Sequence, residues 1–93
     1  MTLRIALAQT SQRVGDLDGN VAAMLAWRER AAGADLIVFP ELQVIGYPPE
    51  DLVLKPAVVA GAEAALARLA AATADGGPAM IVGSVQAEGG RLY

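Results

Sequence analysis

Large hydrophobic residues alternate with small or polar ones at the start of the chain. Leu3, Ile5 and Leu7 occupy every second position, separated by arginine and alanine. Alternation of this kind predicts a β-strand whose large side chains form one buried face. The polar stretch 12–20, which contains two glycines, predicts a loop after this strand.

Hydrophobic positions at helical spacing predict a helix after this loop. We expect it to begin near Val21, with Asp18 or Asn20 as its cap, and to end at Gly33 in a left-handed conformation. The hydrophobic run 34–39 then predicts a parallel strand buried on both faces. Strand, helix and strand together form one βαβ unit.

The second half of the chain continues the alternation of helix and strand after an irregular connection. Prolines interrupt residues 41–55, which predicts an ordered connection with at most a short helix. A stripe of apolar residues predicts a second helix from Pro56. The run 79–85 predicts a third strand, with Gly83 where a side chain would crowd a neighbour, and 91–93 predicts the start of a fourth strand.

Composition narrows the classes of function. The 93 residues carry 7 basic against 10 acidic side chains, for a net charge of -3. This balance argues against a nucleic-acid-binding protein, because such proteins need clustered basic side chains to neutralise phosphates. A chain of this length holds at most one folding unit, which we take as residues 1–93.

We expect a cytoplasmic protein without a membrane segment. The apolar run 5–8 meets polar residues too soon to form the core of a secretory signal. Charges or glycines interrupt the other apolar stretches before the ~20 residues that a spanning helix needs. The sequence has no cysteine and no histidine, which excludes disulfides, thiolate metal sites and nucleophiles that use those side chains within this chain.

Glu41 is the strongest candidate for chemistry. It lies just past the second predicted strand, and ligands of open α/β sheets gather beyond the carboxyl ends of the strands. Pro40 fixes its own φ and favours an extended Phe39, so Glu41 has a stiff support. Two simpler interpretations stay open: a solvated carboxylate, or a cap for a nearby backbone group. Lys55 is interpreted as a surface charge.

Several motifs of the chain resemble one family. The Phe-Pro-Glu step at 39–41, the opening 5–9 and the helix between them are similar to the nitrilase superfamily of carbon-nitrogen hydrolases. Within it, the segment 46–52 resembles the one that marks the glutaminase domain of glutamine-dependent NAD synthetases, and the loop 14–17 with Asn20 also matches. The resemblance covers essentially all 93 residues.

The resemblance implies a fold and a set of site residues. The fold implied is α/β, a nitrilase-like αββα sandwich of which only the first βαβαβ portion is present. The activity implied uses a Glu, Lys and Cys triad in which Glu41 is the catalytic base, and Tyr47 matches a tyrosine beside the substrate glutamine. The simpler interpretation of Tyr47 is a half-buried turn residue. The lysine and the cysteine have no counterpart here, so we expect the fragment alone to be inactive.

The same resemblance implies cofactors and partners for a longer parent enzyme, a ligase of NAD biosynthesis with glutamine as amide donor. Ammonia from glutamine would pass to a separate synthetase domain that amidates deamido-NAD. ATP and magnesium would belong to that domain and no cofactor to residues 1–93, and a homo-oligomer is expected by analogy. Two alternatives stay open: a stand-alone amidase of the superfamily, and a non-catalytic α/β module that binds a partner.

Overall fold

The computed structural model describes residues 2–93 as two helices packed on one face of a small parallel sheet, followed by a hairpin. The elements are β1 (Ile5–Leu7), α1 (Leu17–Arg30), β2 (Leu36–Val38), α2 (Pro56–Ala72), β3 (Ala79–Ile81), β4 (Ala87–Glu88) and β5 (Arg91–Leu92). Short 3-10 helices, Glu50–Leu54 and Thr73–Asp75, lie on either side of α2. The predicted α/β order is confirmed.

The sheet brings the carboxyl ends of its strands to one edge. β2 lies in the middle and pairs in parallel with β1 and with β3. The register places Ala6, Ile37 and Met80 side by side. Ile37 is buried in the core that the sheet forms with residues of α1 and α2, and Ala6 and Met80 pack against that core. Both crossover helices therefore cover the same face.

The large side chains of β1 are exposed, so the prediction that they form a buried face is wrong for these residues. Ile5 and Leu7 are 50% and 73% exposed, whereas Ala6 and Ala8 pack against the core. The reason is that both helices lie on the alanine side, where small side chains let them approach the sheet. Ile81 of β3, 54% exposed, lies opposite Val38 on the uncovered face.

The ends of α1 differ from the prediction. The helix begins at Leu17, and its cap is Asp16, whose side chain accepts a hydrogen bond from the Gly19 N–H at 3.0 Å. The expected caps Asp18 and Asn20 therefore lie inside the helix. The expected left-handed Gly33 is also wrong, since backbone N–H groups of the turn after the helix, beginning with Ala31, already satisfy its last carbonyls.

The second helix begins at Pro56 as predicted and buries one stripe of its surface. A 3-10 turn extends it, and Gly76 ends it in the left-handed conformation with φ 80°. The buried stripe consists of Val59, Ala62, Ala65 and Leu69. The helical stretch Pro56–Asp75 has 20 residues and a mean hydropathy of 1.4, enough by length and composition alone to cross a membrane. Gly61, Glu63 and Arg68 interrupt its apolar residues as expected, and core helices commonly meet the same criterion.

An ion pair joins α1 to the segment that enters β3. The buried Arg28 donates from Nε to the Pro78 carbonyl at 2.8 Å, and its two terminal nitrogens donate to both carboxylate oxygens of Asp75 at 2.9 and 2.6 Å. Arg28 and the Gly77 N–H, which donates at 2.8 Å, together hold the pKa of Asp75 far below its ordinary value. Arg28 is thus buried with its charge paired.

Candidate functional site

Glu41 lies on a tight turn at the carboxyl end of β2. The Phe39 N–H donates to the Ile81 carbonyl at 3.0 Å, which carries the pairing with β3 just past the end of β2. After Pro40 the chain turns through Leu42, whose φ is 51°, and the Gly46 N–H closes the turn by donating to the Leu42 carbonyl at 2.7 Å. The backbone of Glu41 is thus fixed relative to the sheet.

Segments that follow β1 and β3 also hold this turn. The Gln12 side-chain amide donates to the Glu41 carbonyl at 3.3 Å, and the Val44 N–H donates to the Gly83 carbonyl at 3.2 Å. The prediction that Gly83 lies where a side chain would crowd a neighbour is confirmed, since a Cβ there would be 2.3 Å from the Leu42 nitrogen. The turn that carries Glu41 therefore packs against the continuations of both edge strands.

The Glu41 side chain is exposed, and within residues 2–93 no hydrogen bond or ion pair involves its carboxylate. A cap would accept a backbone N–H, so that interpretation is wrong for the described part of the chain. Two interpretations remain, a solvated carboxylate and a base for a group outside this chain. A rigid backbone with an unpaired carboxylate is compatible with both.

Tyr47 follows the turn and points its ring toward solvent, being 57% exposed. It comes after Gly46, which has φ 92° and lies so close to the loop after β1 that a Cβ would be 2.6 Å from the Val14 Cα. Only glycine fits this combination of left-handed backbone and close approach. Tyr47 is thus more exposed than the half-buried turn residue of the simpler interpretation, and Lys55 is exposed as expected.

An open groove lies beside the turn. It has a volume of about 550 Å³. Its lining consists of residues 7–11, which begin at the last residue of β1, and residues 38–40, which begin at the last residue of β2. Neither Glu41 nor Tyr47 lines it. Glu41 therefore lies at the edge formed by the carboxyl ends of the strands, and the described residues do not enclose it in a pocket.

Sequence reasoning missed two buried polar residues that support the site. Gln43 is 1% exposed and its side-chain oxygen accepts a hydrogen bond from the Thr10 hydroxyl at 3.0 Å. The Asn20 side chain accepts a hydrogen bond from the Arg13 N–H and donates to the carbonyls of Arg13 and Val44. Gln43 lies within the apolar run 42–45, and a lone polar residue in such a run was the one available indication of burial.

Metal ligands are not clustered in this segment. Among residues 2–93 no group of three His, Cys, Asp or Glu side chains could hold a metal ion. The chemistry available here is consequently that of one free carboxylate and of neighbouring amide, hydroxyl and phenol groups.

The sequence profile of the carbon-nitrogen hydrolase family matches residues 4–93. The chain belongs to this family. The glutamine-dependent NAD(+) synthetase of Rhodobacter capsulatus is 52% identical to this chain over 82 residues. The matched region is 86% of this chain and 15% of that protein. The enzyme of the same name from Xanthomonas campestris is 44% identical over 99% of this chain and 17% of its own length.

Two solved structures show the same fold as this carbon-nitrogen hydrolase chain. The glutamine-dependent NAD+ synthetase of Acinetobacter baumannii matches 98% of the chain with a TM-score of 0.86 and 40% identity, over 17% of its own length. An amidase from Nesterenkonia sp. matches 94% of the chain with a TM-score of 0.82 and 31% identity. The expected nitrilase-like fold and the resemblance to NAD synthetases are thereby confirmed, and the chain spans 15% and 17% of the curated synthetases above.

Proposed function

We propose that this chain is the N-terminal part of the glutaminase domain of a glutamine-dependent NAD synthetase. In that enzyme, ammonia released from glutamine amidates deamido-NAD at an ATP-dependent domain. The observation that carries the proposal is the match to the Acinetobacter baumannii synthetase, which covers 98% of the chain at 40% identity. The segment 46–52, which resembles the corresponding segment of these synthetases, supports it.

We assign Glu41 as the general base. The carboxylate takes the proton of a cysteine thiol supplied by sequence outside this chain, and the thiolate attacks the carboxamide carbon of glutamine. The protonated Glu41 gives its proton to the amide nitrogen as the carbon-nitrogen bond breaks, so ammonia leaves and a thioester remains. Water then hydrolyses the thioester to glutamate, and the cysteine thiol is regenerated. A lysine, also outside this chain, stabilises the negative oxygen of the tetrahedral intermediate. The fixed turn and the unpaired carboxylate of Glu41 support this role.

Tyr47 is proposed to contact the substrate glutamine. Its exposed ring stands five residues after the turn begins at Leu42, on a backbone that Gly46 holds against the loop after β1. A ring and a hydroxyl in this position provide an apolar wall and a hydrogen-bonding group for the amide substrate.

ATP, magnesium and deamido-NAD are assigned to the synthetase domain. The described residues do not fit magnesium, because they hold no cluster of three potential ligands, and their glycine pairs lack the spacing of a phosphate-binding loop. No step at Glu41 therefore involves these groups. We further propose a cytoplasmic homo-oligomer, as expected for a biosynthetic enzyme of this superfamily.

A stand-alone amidase is the second candidate. The 31% identity to the Nesterenkonia amidase favours it, and that protein shares the same fold. The higher identity to synthetases argues for the first candidate. The sequence downstream of Tyr93 separates the two, since a synthetase continues into a second domain with a phosphate-binding loop. A chain that ends without a cysteine able to reach Glu41 would leave only the third candidate, a non-catalytic module.

The proposed role of Glu41 is tested by Glu41→Gln in the full-length protein. The amide side chain introduced at position 41 cannot accept the thiol proton, so we expect NAD synthesis from the substrate glutamine to fall about 100-fold or more. Synthesis from free ammonia should be unchanged, because it does not use this site. The matched control is Glu63→Gln, an exposed glutamate on α2. Loss of both activities would show that Glu41 serves the structure and not the chemistry.

A further inference from the structure

The turn that carries Glu41 rests directly on the backbone of Gly83. A Cβ at Gly83 would be 2.3 Å from the nitrogen of Leu42, 3.1 Å from the carbonyl carbon of Glu41 and 3.2 Å from its Cα. All three atoms belong to the backbone, which cannot rotate away as a side chain can. The absence of a side chain at Gly83 thus sets how closely the Glu41 turn approaches the end of β3.

Space alone, and not backbone conformation, requires glycine here. Gly83 is not among the glycines with positive φ, so an alanine there would not be forced into the left-handed region. Gly61 on α2 offers a useful contrast. A Cβ there would be 2.5 Å from Leu17 Cδ1, the far end of a flexible side chain that can move aside.

The Glu41 turn cannot simply lift away from an added methyl group. The bonds from Phe39 N–H to the Ile81 carbonyl and from Val44 N–H to the Gly83 carbonyl tie the turn to the β3 segment on both sides. Ordinary van der Waals contact begins near 3.4 Å, so the peptide between Glu41 and Leu42 would have to shift by about 1 Å. The residue that bears the shift is the proposed base.

We propose that Gly83 is a positioning residue for Glu41, which fixes the depth at which the carboxylate is presented at the edge of the sheet. The inference rests on the proposed role of Glu41 as base and adds a residue that acts only through it. Misplacement of a reacting group by about 1 Å can lower a rate about 100-fold. The methyl group that Gly83→Ala adds should therefore change kcat more than KM.

The experiment compares Gly83→Ala with Gly61→Ala in the full-length protein. For Gly83→Ala we expect kcat for glutamine hydrolysis to fall by about 10-fold to 100-fold, with KM changed less than about twofold and ammonia-dependent synthesis retained. Gly61→Ala adds the same methyl group at a close contact remote from the turn, and it should leave kcat for glutamine unchanged. A Gly83→Ala protein that fails to fold, or loses ammonia-dependent synthesis as well, overturns the proposal, since the glycine then serves the whole fold.

A second measurement separates positioning from general damage. In a Glu41→Asp background the carboxylate is already displaced, so Gly83→Ala should lower kcat by a smaller factor than in the unaltered enzyme. Equal factors in both backgrounds would mean that Gly83 acts independently of Glu41. If Glu41→Gln retains full glutamine hydrolysis, the proposed function of Glu41 fails. If Glu41→Gln is inactive but Gly83→Ala is unaffected, only the positioning inference fails.

Discussion

The two faces of the parallel sheet differ in what covers them and in the size of their side chains. On the helix side, Ala6 and Met80 flank the buried Ile37, and α1 and α2 pack over them. On the other side, Leu7 and Ile81 are 73% and 54% exposed, and nothing in residues 2–93 covers them. Exposed apolar side chains that share one sheet face commonly mark a surface that another element covers, so we expect the proposed longer protein to cover this bare face.

The family fold gives a partner for the bare face. In the αββα arrangement the two sheets pack face to face about 10 Å apart, with their inner side chains interdigitated. The segment has the same fold in the Acinetobacter baumannii synthetase, of which it is 17%. We therefore expect the second sheet of the domain to cover Ile5, Leu7 and Ile81.

Met24→Ala should have the largest effect on stability. Met24 of α1 is fully buried in the core on the helix side, so its removal leaves a cavity as well as lost hydrophobic transfer energy. We expect a loss of about 2–5 kcal/mol in the free energy of unfolding, measured by urea denaturation of the domain. Met24→Leu preserves the volume and should cost less than about 1.5 kcal/mol. Equal losses for the two variants would contradict a tightly packed helix face.

Leu7→Ala tests whether the bare face is covered in the full-length protein. If a second sheet buries Leu7, the change Leu7→Ala should lower the free energy of unfolding by about 2 kcal/mol, although Leu7 is exposed in this segment. Arg4→Ala on the same chain segment provides the control and should change stability by less than about 0.5 kcal/mol. A Leu7→Ala effect as small as that of the control would mean that this face stays in water.

The contrast between the faces also explains what the sequence could predict. Alternation in 3–8 predicted the strand correctly, and the large residues were assigned to a buried face, which is wrong within residues 2–93. Periodicity shows that two faces differ, but it does not show which face the chain's own helices cover. The packing of the core against Ala6 and Ala8 involves residues distant in sequence, which no local pattern contains.

The site was predictable to a similar extent. The position of Glu41 followed from the strand order, because parallel strands place their carboxyl ends together. The crowding at Gly83 followed from a lone glycine within a predicted strand. The hydrogen bonds from the Gln12 side chain to the Glu41 carbonyl and from the Thr10 hydroxyl to the Gln43 side chain did not, since they join residues 29 and 33 positions apart. The left-handed Leu42 was also missed, as leucine gives no local indication of positive φ.

Acid should weaken the helix side through Asp75. Its pKa lies far below the ordinary value of 3.8 because Arg28 and the Gly77 N–H stabilise the charged form. A depressed pKa in the folded state adds stability above about pH 4, and this stability is lost as the pH falls further. We expect Asp75→Asn to lower the Tm at pH 7 and the difference from the unaltered protein to narrow below pH 4. Asp51→Asn, an exposed carboxylate outside the ion pairs of the described residues, is the control.

The smallest effect is expected at a second ion pair on the same side of the sheet. Arg68 of α2 donates to Asp18 of α1 at 2.8 Å, but both side chains are largely exposed, whereas Arg28 is buried. Water screens an exposed pair and the two side chains lose rotamer freedom in forming it, so the net contribution is small. Arg68→Gln should change the free energy of unfolding by less than about 0.5 kcal/mol, and rising salt should reduce the difference further. If Arg68→Gln lowers the Tm as much as Asp75→Asn does, the burial of Arg28 does not explain a difference in stability between the two ion pairs.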